Sequence, residues 1–387
     1  MPKWKYRGSG ESDELASYDK IRRGRDKRKK QKSAEGDFES LESTWDMSES
    51  SSFKARVVEV HKGYAFVSRE DQIGFVDTKD VWLATVARRF LQSERKERNT
   101  IAVGDRVLCV PSEKQADTLE SDLPRCVIQR LAPRTSKIAR KDPLHDNREH
   151  VLASNIDQII VVASYVSPLV KWGLIDRYLV LAEEQGIPAI VVLNKKDLLA
   201  KESEAFQKKC AEEVATYKKL GYDVRELVAV DEDDQQVVAL QRILENKISI
   251  FTGHSGVGKS SLVNRFNPEI VQDVEPNSDI FYKGRHTTTY ASFIKIASKG
   301  YAVDTPGIRS FTVGDRNAID LTFGFKELRP FMGKCKFREC RHIDEPDCAV
   351  IEALDKGVIS QRRYRSYCGL LLGETGREGR IRDDQVE

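Results

Sequence analysis

Three short strings stand in this chain in an order that few folds accommodate. NKKD occupies Asn194 to Asp197, the glycine-rich string GHSGVGKS follows at Gly253 to Ser260, and DTPG comes last at Asp304 to Gly307. Each closes an apolar run: IPAIVVL, KISIF and YAV. Short apolar runs bounded by turn residues read as buried strands of a parallel sheet, and such sheets bind ligands beyond the carboxyl ends of their strands. A phosphate loop of this kind ordinarily opens its domain, and the base-reading loop closes it. With that order reversed, the domain reads as circularly permuted.

The elements around the strings agree. IDQIIVVAS is a buried strand, Lys171 to Gln185 an amphipathic helix, and IPAIVVLN a second strand. A helix is expected around residues 202–220, a strand from Asp223 to Val230 and a helix from Gln235 to Asn246. KISIFTG runs into the phosphate loop, which opens a helix from Lys259 to Phe266, and YASFIKIAS and GYAVDTPG add two strands. The fold class is therefore α/β, a doubly wound sheet. Ahead of it, FKARVVEV, GYAFVSR, IGFVD, DRVLCVP and PRCVIQRL are five short strands, with a helical insertion expected near residues 82–98. That pattern suits a closed β-barrel of the OB type, with an SH3-like barrel as the alternative. Residues 134–155 read as a polar connector, and the chain from about residue 320 reads as helical.

The length of 387 residues, with 40% apolar and 32% charged, suits two or three domains with sizeable cores. The formal charge of +3 hides an asymmetry: Lys20 to Lys32 carries nine Lys or Arg against one acid, and residues 33–52 are rich in Ser and acids. Residues 1–52 read as a charged, disordered arm. Its basic stretch fits an anionic partner such as RNA or a membrane surface, and equally a solvated tail. No apolar run reaches the length of a membrane span, and the N-terminal stretch lacks the apolar core of a signal peptide. A cytoplasmic protein is expected.

The glycines of GxxxxGK[ST] let backbone N–H groups turn toward a phosphate, the lysine reaches the β and γ oxygens, and the hydroxyl ligates Mg²⁺. Gly253, Gly258, Lys259 and Ser260 take those places; His254, Ser255, Gly256 and Val257 complete the loop, and Ser261 follows it. Asp304, at a strand end, suits a Mg²⁺-bound water, and the Gly307 N–H suits a γ-phosphate. Asp197 points to the base, because a carboxylate accepts two hydrogen bonds from guanine N1–H and the 2-amino group. A site built on those donors disfavours an analogue lacking them by roughly 10⁴. Asn194 is expected to buttress the loops and the Lys195 stem to cover the base. GTP is favoured over ATP, which argues against a P-loop kinase or ATPase. Ile308 stands where Ras-like enzymes carry the glutamine that orients the attacking water. In the string GRHTTT, His286 offers an alternative water-orienting group, and a threonine there can complete Mg²⁺ coordination.

Seven cysteines include a cluster, Cys335, Cys340, His342 and Cys348, spaced C-x4-C-x-H-x5-C. Three thiolates and an imidazole form a closed tetrahedral set suited to one structural Zn²⁺ per chain. Cys109, Cys126, Cys210 and Cys368 stand apart and read as free thiols.

With these residues assembled, the chain resembles the bacterial RsgA family of GTPases dependent on the small ribosomal subunit, also called YjeQ or EngC. The likeness covers about residues 53–373 and rests on NIDQIIVVAS, NKKD, GHSGVGKSSLVN, GRHTTT, DTPGIRSF, CKFRECRHIDEPDCAV and EALDKGVISQRRYRSY in this order. It implies an RNA-binding OB barrel at 53–133, a permuted GTPase domain at 134–318 and a zinc-binding helical domain with its tail at 319–387. It further implies late maturation of the small subunit, with its rRNA as partner and GTP hydrolysis coupled to release. The resemblance assigns catalytic work to His286 alongside Lys259, and a Mg²⁺ contact to Thr288, or else Thr287, beside Ser260. Where the family has a Ser-Ala pair against the base, this chain reads LVAVDEDD and keeps only Ala229. The arm exceeds the family plan. Cofactors implied are Zn²⁺ and Mg²⁺ with GTP; a monomer without a membrane partner is expected. An RNA-binding checkpoint in which GTP is only a structural ligand is the competing reading.

Overall fold

A computed structural model of the chain describes residues 52–61, 63–70, 76–87, 101–112, 123–142, 145–267, 292–296, 300–304 and 318–373. The N-terminal arm, the GRHTTT string and the residues just after Asp304 lie outside these. Five strands, β1 (Phe53–Val60), β2 (Ala65–Glu70), β3 (Val76–Val86), β4 (Arg106–Pro111) and β5 (Arg125–Leu131), are ordered β1-β2-β3-β5-β4, and β4 pairs back onto β1. The closure is of the OB type: β3 and β5 run parallel and the other pairs antiparallel. Alternate residues Ala55, Val57, Ala65, Val67, Ala84, Val107, Cys109, Cys126 and Ile128 fill the interior, as the two-residue period of strands requires. Arg69 closes one end, its guanidinium 4.5 Å from the Phe53 ring and 4.8 Å from that of Trp82.

Two expectations for this region need correction. Of the strand expected at IGFVD, Ile73 to Phe75 lie outside the described residues; from Val76 the strand runs on to Val86, so residues 82–86, expected to begin a helix, are its second half. The run VWLATV is rich in β-branched and aromatic residues, and its period of two directs Trp82, Ala84 and Val86 toward the barrel core. The polar connector at residues 134–155 is in fact a hairpin of β6 (Lys137–Asp142) and β7 (His145–Ser154). Its polar surface conceals a narrow buried set, Ile138, Val151 and Ala153.

The hairpin is fused to the barrel through Asp105, which is fully buried. Its carboxylate accepts Arg134 Nε and Nη2 at 2.7 Å, Ser154 Oγ at 2.6 Å and the Ala102 N–H at 2.7 Å. Asn155 Nδ2 donates to the Gly104 carbonyl at 2.8 Å.

The α/β portion holds β8 (Gln158–Ser164), β9 (Ala189–Asn194), β10 (Asp223–Glu226), β11 (Ile248–Thr252), β12 (Ser292–Ile296) and β13 (Gly300–Asp304), ordered β10-β9-β8-β11-β13-β12. All neighbours run parallel except β12 and β13. β10 stops at Glu226, short of the expected Val230. Because β8 is buried throughout, it feeds two cores. Ile159, Val161 and Ala163 pack with α1 (Trp172–Gln185) and, after the short α2 (Lys196–Leu199), α3 (Glu204–Lys219). Ile160 and Val162 pack with α4 (Gln235–Leu244) and α5 (Lys259–Phe266) on the opposite face. β12 meets β1 at Glu59 and Ser292, joining barrel and α/β sheet edge to edge.

The C-terminal part comprises α6 (Ala318–Gly324), a 3-10 turn at Arg329–Phe331, α7 (Ala349–Asp355) and α8 (Gln361–Leu371). Leu321, Phe325, Leu328, Val350, Ala353, Ile359, Tyr367 and Leu370 form its core, which Val180 of α1 completes. α6 can lie against α1 because residue 324 is glycine: a Cβ there would stand 2.5 Å from Val180 Cγ1. Among the described residues, no helix is long and apolar enough to cross a membrane.

Gly104, at the joint of barrel and hairpin, has φ +91°, and a Cβ on it would fall 2.0 Å from the Ser154 carbonyl oxygen. Replacing it by alanine is expected to cost on the order of 3 kcal/mol, from left-handed strain and displaced backbone together. Urea unfolding of Gly104→Ala against the native chain measures this; an unchanged midpoint would contradict the geometry.

Candidate functional site

Parallel pairing aligns the carboxyl ends of β8, β9 and β11, so the loops that follow them converge. The phosphate loop leaves β11 at Thr252, turns through Gly253 to Gly258 and enters α5 at Lys259. Gly253 has φ +142°, and a Cβ would lie 1.9 Å from the Val162 carbonyl oxygen; Gly258 has φ +97°, and a Cβ would lie 2.2 Å from Asn194 Nδ2. Both positions exclude a side chain for want of space as well as for their backbone angle. Val257 is buried and anchors the loop, whereas His254, Ser255 and Gly256 are exposed. The Lys259 ammonium donates to the carbonyls of Gly253 at 3.0 Å and His254 at 2.7 Å, spanning the loop from within. Ser260 and Ser261 lie half-buried in the first turn of α5.

Asn194, the last residue of β9 and buried, links the loops. Its Nδ2 donates to the Val257 carbonyl at 2.9 Å, and its Oδ1 accepts the Ala229 N–H at 2.9 Å. These two bonds tie the phosphate loop and the loop after β10 to the end of β9. The Ala229 N–H is therefore bound within the protein. Lys195 adopts φ +62°, and its ammonium donates to the Gly256 carbonyl at 2.9 Å and to that of Ser167. Burial lowers its pKa, against the raising effect of Asp197. Asp197 lies exposed in the first turn of α2.

Two residues of this region carry work that motif reading misses. Asp234 accepts the Val228 N–H through Oδ2 and the Gln236 N–H through Oδ1, both at 2.7 Å, so it caps α4 while holding the loop after β10. An acid just ahead of a helix is an N-cap signal that could have identified it. Lys171 Nζ lies 3.3 Å from His254 Nε2, and His254 Nδ1–H donates to the Ser255 carbonyl at 2.9 Å. No string marks Lys171. Asp304 ends β13, two strands from β8 and beside β11. Gly307, His286, Thr287, Thr288 and Ile308 lie outside the described residues.

The second candidate centre gathers Cys335, Cys340, His342 and Cys348, whose ligand atoms all lie within 4.8 Å of one another. Cys335 Sγ is 3.8 Å from Cys348 Sγ, and His342 Nδ1 is 3.5 and 3.4 Å from these two sulfurs. A tetrahedral ion with metal–sulfur bonds of about 2.3 Å and metal–nitrogen bonds of about 2.0 Å has edges of roughly 3.8 and 3.5 Å, which the distances among Cys335, His342 and Cys348 match. Burial pushes the Cys340 thiol up to about 12, raises that of Cys348 and lowers the His342 imidazole. Such groups favour neutrality, and a bound cation is what would make thiolates of the cysteines. Glu345 braces the loop by accepting the N–H groups of Arg341 at 2.7 Å and Ile343 at 2.9 Å.

Comparison with known proteins agrees with these features. Residues 131–314 match the family model described as RsgA GTPase. The small ribosomal subunit biogenesis GTPase RsgA of Actinobacillus pleuropneumoniae serotype 5b (strain L20) is 38% identical over 277 residues, 72% of this chain and 77% of that protein. The protein of the same name from Chlorobaculum parvum is 37% identical over 283 residues, 72% of this chain and 87% of its own. Among solved structures, YjeQ from Thermotoga maritima superposes with a TM-score of 0.62 at 29% identity, covering 84% of this chain and 99% of its own. YloQ, a circularly permuted GTPase, gives a TM-score of 0.59 at 25% identity, covering 85% and 97%. The reversed order of the strings, the convergence of their loops on one sheet edge and these likenesses together identify the chain as a circularly permuted GTPase of the RsgA GTPase family.

Proposed function

We propose that this GTPase acts in the biogenesis of the small ribosomal subunit, binding the particle and its rRNA in the GTP form and leaving after hydrolysis. The partner is supported by the relatives named for small ribosomal subunit biogenesis, and the observation that carries the nucleotide reading is the Asn194 side chain, which joins the base-reading loop, the phosphate loop and the loop after β10 into one unit. Loops held together in this way suit a single nucleotide whose two ends they read.

In this reading Asp197 accepts from guanine, Asn194 and Lys195 form the wall of the base site, and the Ala229 backbone contacts the base while its N–H stays bound to Asn194. The phosphate loop from Gly253 to Ser260, with Ser261 after it, surrounds the phosphates, with Lys259 on the β and γ oxygens, Asp304 holding a Mg²⁺-bound water and the Gly307 N–H meeting the γ-phosphate. Ser260 and Thr288, or Thr287 in its stead, would hold Mg²⁺, which supplies charge neutralisation along the phosphates. His286 orients the attacking water in place of the Ras glutamine. Cys335, Cys340, His342 and Cys348 would hold one Zn²⁺ that stabilises the helical C-terminal domain.

The working parts are the arm (1–52), an RNA-binding barrel (53–133), the GTPase domain (134–318) and the metal-binding domain (319–387). Since the permuted domain has the barrel at one end and the metal-binding domain at the other, an order change near the γ-phosphate can reach both. The protein is proposed to work as a cytoplasmic monomer without a membrane partner.

Asp197→Asn is expected to weaken GDP binding and relax the preference for guanine over adenine nucleotides, since it exchanges a double acceptor for a mixed group. Competition titration measures this, and an unchanged preference would refute the base assignment. Basal hydrolysis is expected near the roughly 10⁻⁴ to 10⁻³ s⁻¹ of unassisted Ras-type enzymes, rising strongly with small but not large ribosomal subunits. His286→Ala is expected to reduce the stimulated rate by roughly 10² while barely altering GTP affinity. Equal stimulation by both subunits would contradict the proposed partner, and full stimulated turnover in the variant would remove His286 from the mechanism.

A further inference from the structure

A continuous set of contacts runs from the metal-binding loop to the phosphate loop, through α8 and α1. α8 faces two ways. On one side Tyr364 Oη donates to the carbonyls of His342 at 2.6 Å and Ile343 at 3.2 Å, and Tyr367 Oη donates to that of Arg341 at 2.9 Å. Three successive carbonyls of the loop that carries ligand His342 are thereby held by one helix. On the other side Arg362 and Arg363 reach the α/β portion. Arg363 Nη1 donates to Asp176 Oδ1 and Arg362 Nη1 to Asp176 Oδ2, each at 2.6 Å. Arg362 Nε also donates to Glu213 of α3, and Arg363 Nε to Glu327, again at 2.6 Å. Tyr217 Oη donates to Asp176 Oδ1 at 2.5 Å.

The side chains of Asp176 and Arg363 have no solvent exposure. Burial alone would push the Asp176 carboxyl up, but Arg363 and Arg362 beside it hold it at about 2, so it stays ionised. Charges buried this deeply tolerate little relative movement of α8 and α1, because displacement strips them of partners while leaving them out of water. α1 then carries the restraint to the nucleotide site. It begins at Trp172, immediately after Lys171, the residue in contact with His254 of the phosphate loop. Residues Pro168 to Lys171 line a shallow surface crevice together with Gly253, His254 and Val257.

We propose that Asp176 is a positioning residue through which metal occupancy and guanine-nucleotide affinity are linked: the metal fixes the carbonyls of residues 341–343, these fix α8, and α8 sets α1 and its contact with the phosphate loop. The inference rests on the zinc and nucleotide readings of the two sites proposed above. Both ligands favour the same docked arrangement, so each tightens the other, and thermodynamic linkage requires the two factors to be equal.

The test uses the full chain loaded with Zn²⁺. Competition with a chromophoric chelator gives the Zn²⁺ affinity with and without GDP, so the chain need not be handled metal-free. GDP is expected to tighten Zn²⁺ by about fivefold or more, the low end of ordinary couplings. In Asp176→Asn that factor should fall to about one. Because this variant leaves Arg363 buried with a weaker partner and can fail to fold, a double variant, Tyr364→Phe with Tyr367→Phe, serves as the second probe. It keeps both rings in place and removes the hydroxyl bonds to the metal loop, together with the bond between Tyr367 and Thr322, and its factor should also fall toward one in a chain that still unfolds cooperatively. A native chain that binds both ligands with no effect of GDP on Zn²⁺ overturns this inference alone, as does a folded double variant that keeps the full factor. Failure to bind Zn²⁺ or GDP at all overturns the underlying site reading together with it.

Discussion

The nucleotide site depends on the two hydrogen bonds of one buried amide. Asn194 closes β9, and its side chain reaches forward in sequence to Val257 in the phosphate loop and to Ala229 after β10. A sheet alone aligns strand ends only to within the slack of its loops. A buried amide satisfied on both sides removes that slack, because opening either contact strands a polar group out of water, at a cost of about 1–3 kcal/mol. Gly258 has to be glycine for the same reason: a Cβ would occupy the position of Asn194 Nδ2. The loop glycine and the strand-end asparagine are therefore one feature, although 64 positions separate Asn194 from Gly258 in the numbering.

Permutation leaves this arrangement intact because it changes only where the chain enters the sheet. β8 still lies between β9 and β11 and feeds apolar side chains to both layers of helices. What changes is the attachment of the neighbouring parts. The barrel joins through the Asp105 cluster and the single pairing of β1 with β12, while the C-terminal helices lean on α1 through Asp176 and Val180. Both attachments use a buried carboxylate with arginine partners, which holds one relative orientation where a purely apolar contact would let surfaces slide.

The parts legible in the sequence are those in which neighbouring residues decide the structure. The apolar run of β8, the phosphate loop with its helix, and the Cys and His spacing all declare themselves within short stretches of chain. The hairpin β6–β7 does not, because its strands are largely polar and owe their form to buried apolar side chains such as Ile138, Val151 and Ala153 and to Asp105, far off in sequence. The extent of β3 is not legible either, because a helix and a strand compete for VWLATV and pairing with β2 and β5 decides for the strand. Asp176 and Lys171 were illegible for a further reason: on a helix surface an acid or a lysine is unremarkable, and only the tertiary partner shows what it holds.

The central claim is that a permuted chain builds one guanine-nucleotide site from loops that Asn194 joins. Calorimetric titration of Asn194→Ala with GDP tests it most directly, with thermal unfolding as the control for a retained fold. The account predicts a loss of GDP affinity of at least about tenfold, since two groups lose their partner and the loops drift apart. A folded variant that binds GDP within about twofold of the native chain, a difference of less than about 0.5 kcal/mol, would contradict it.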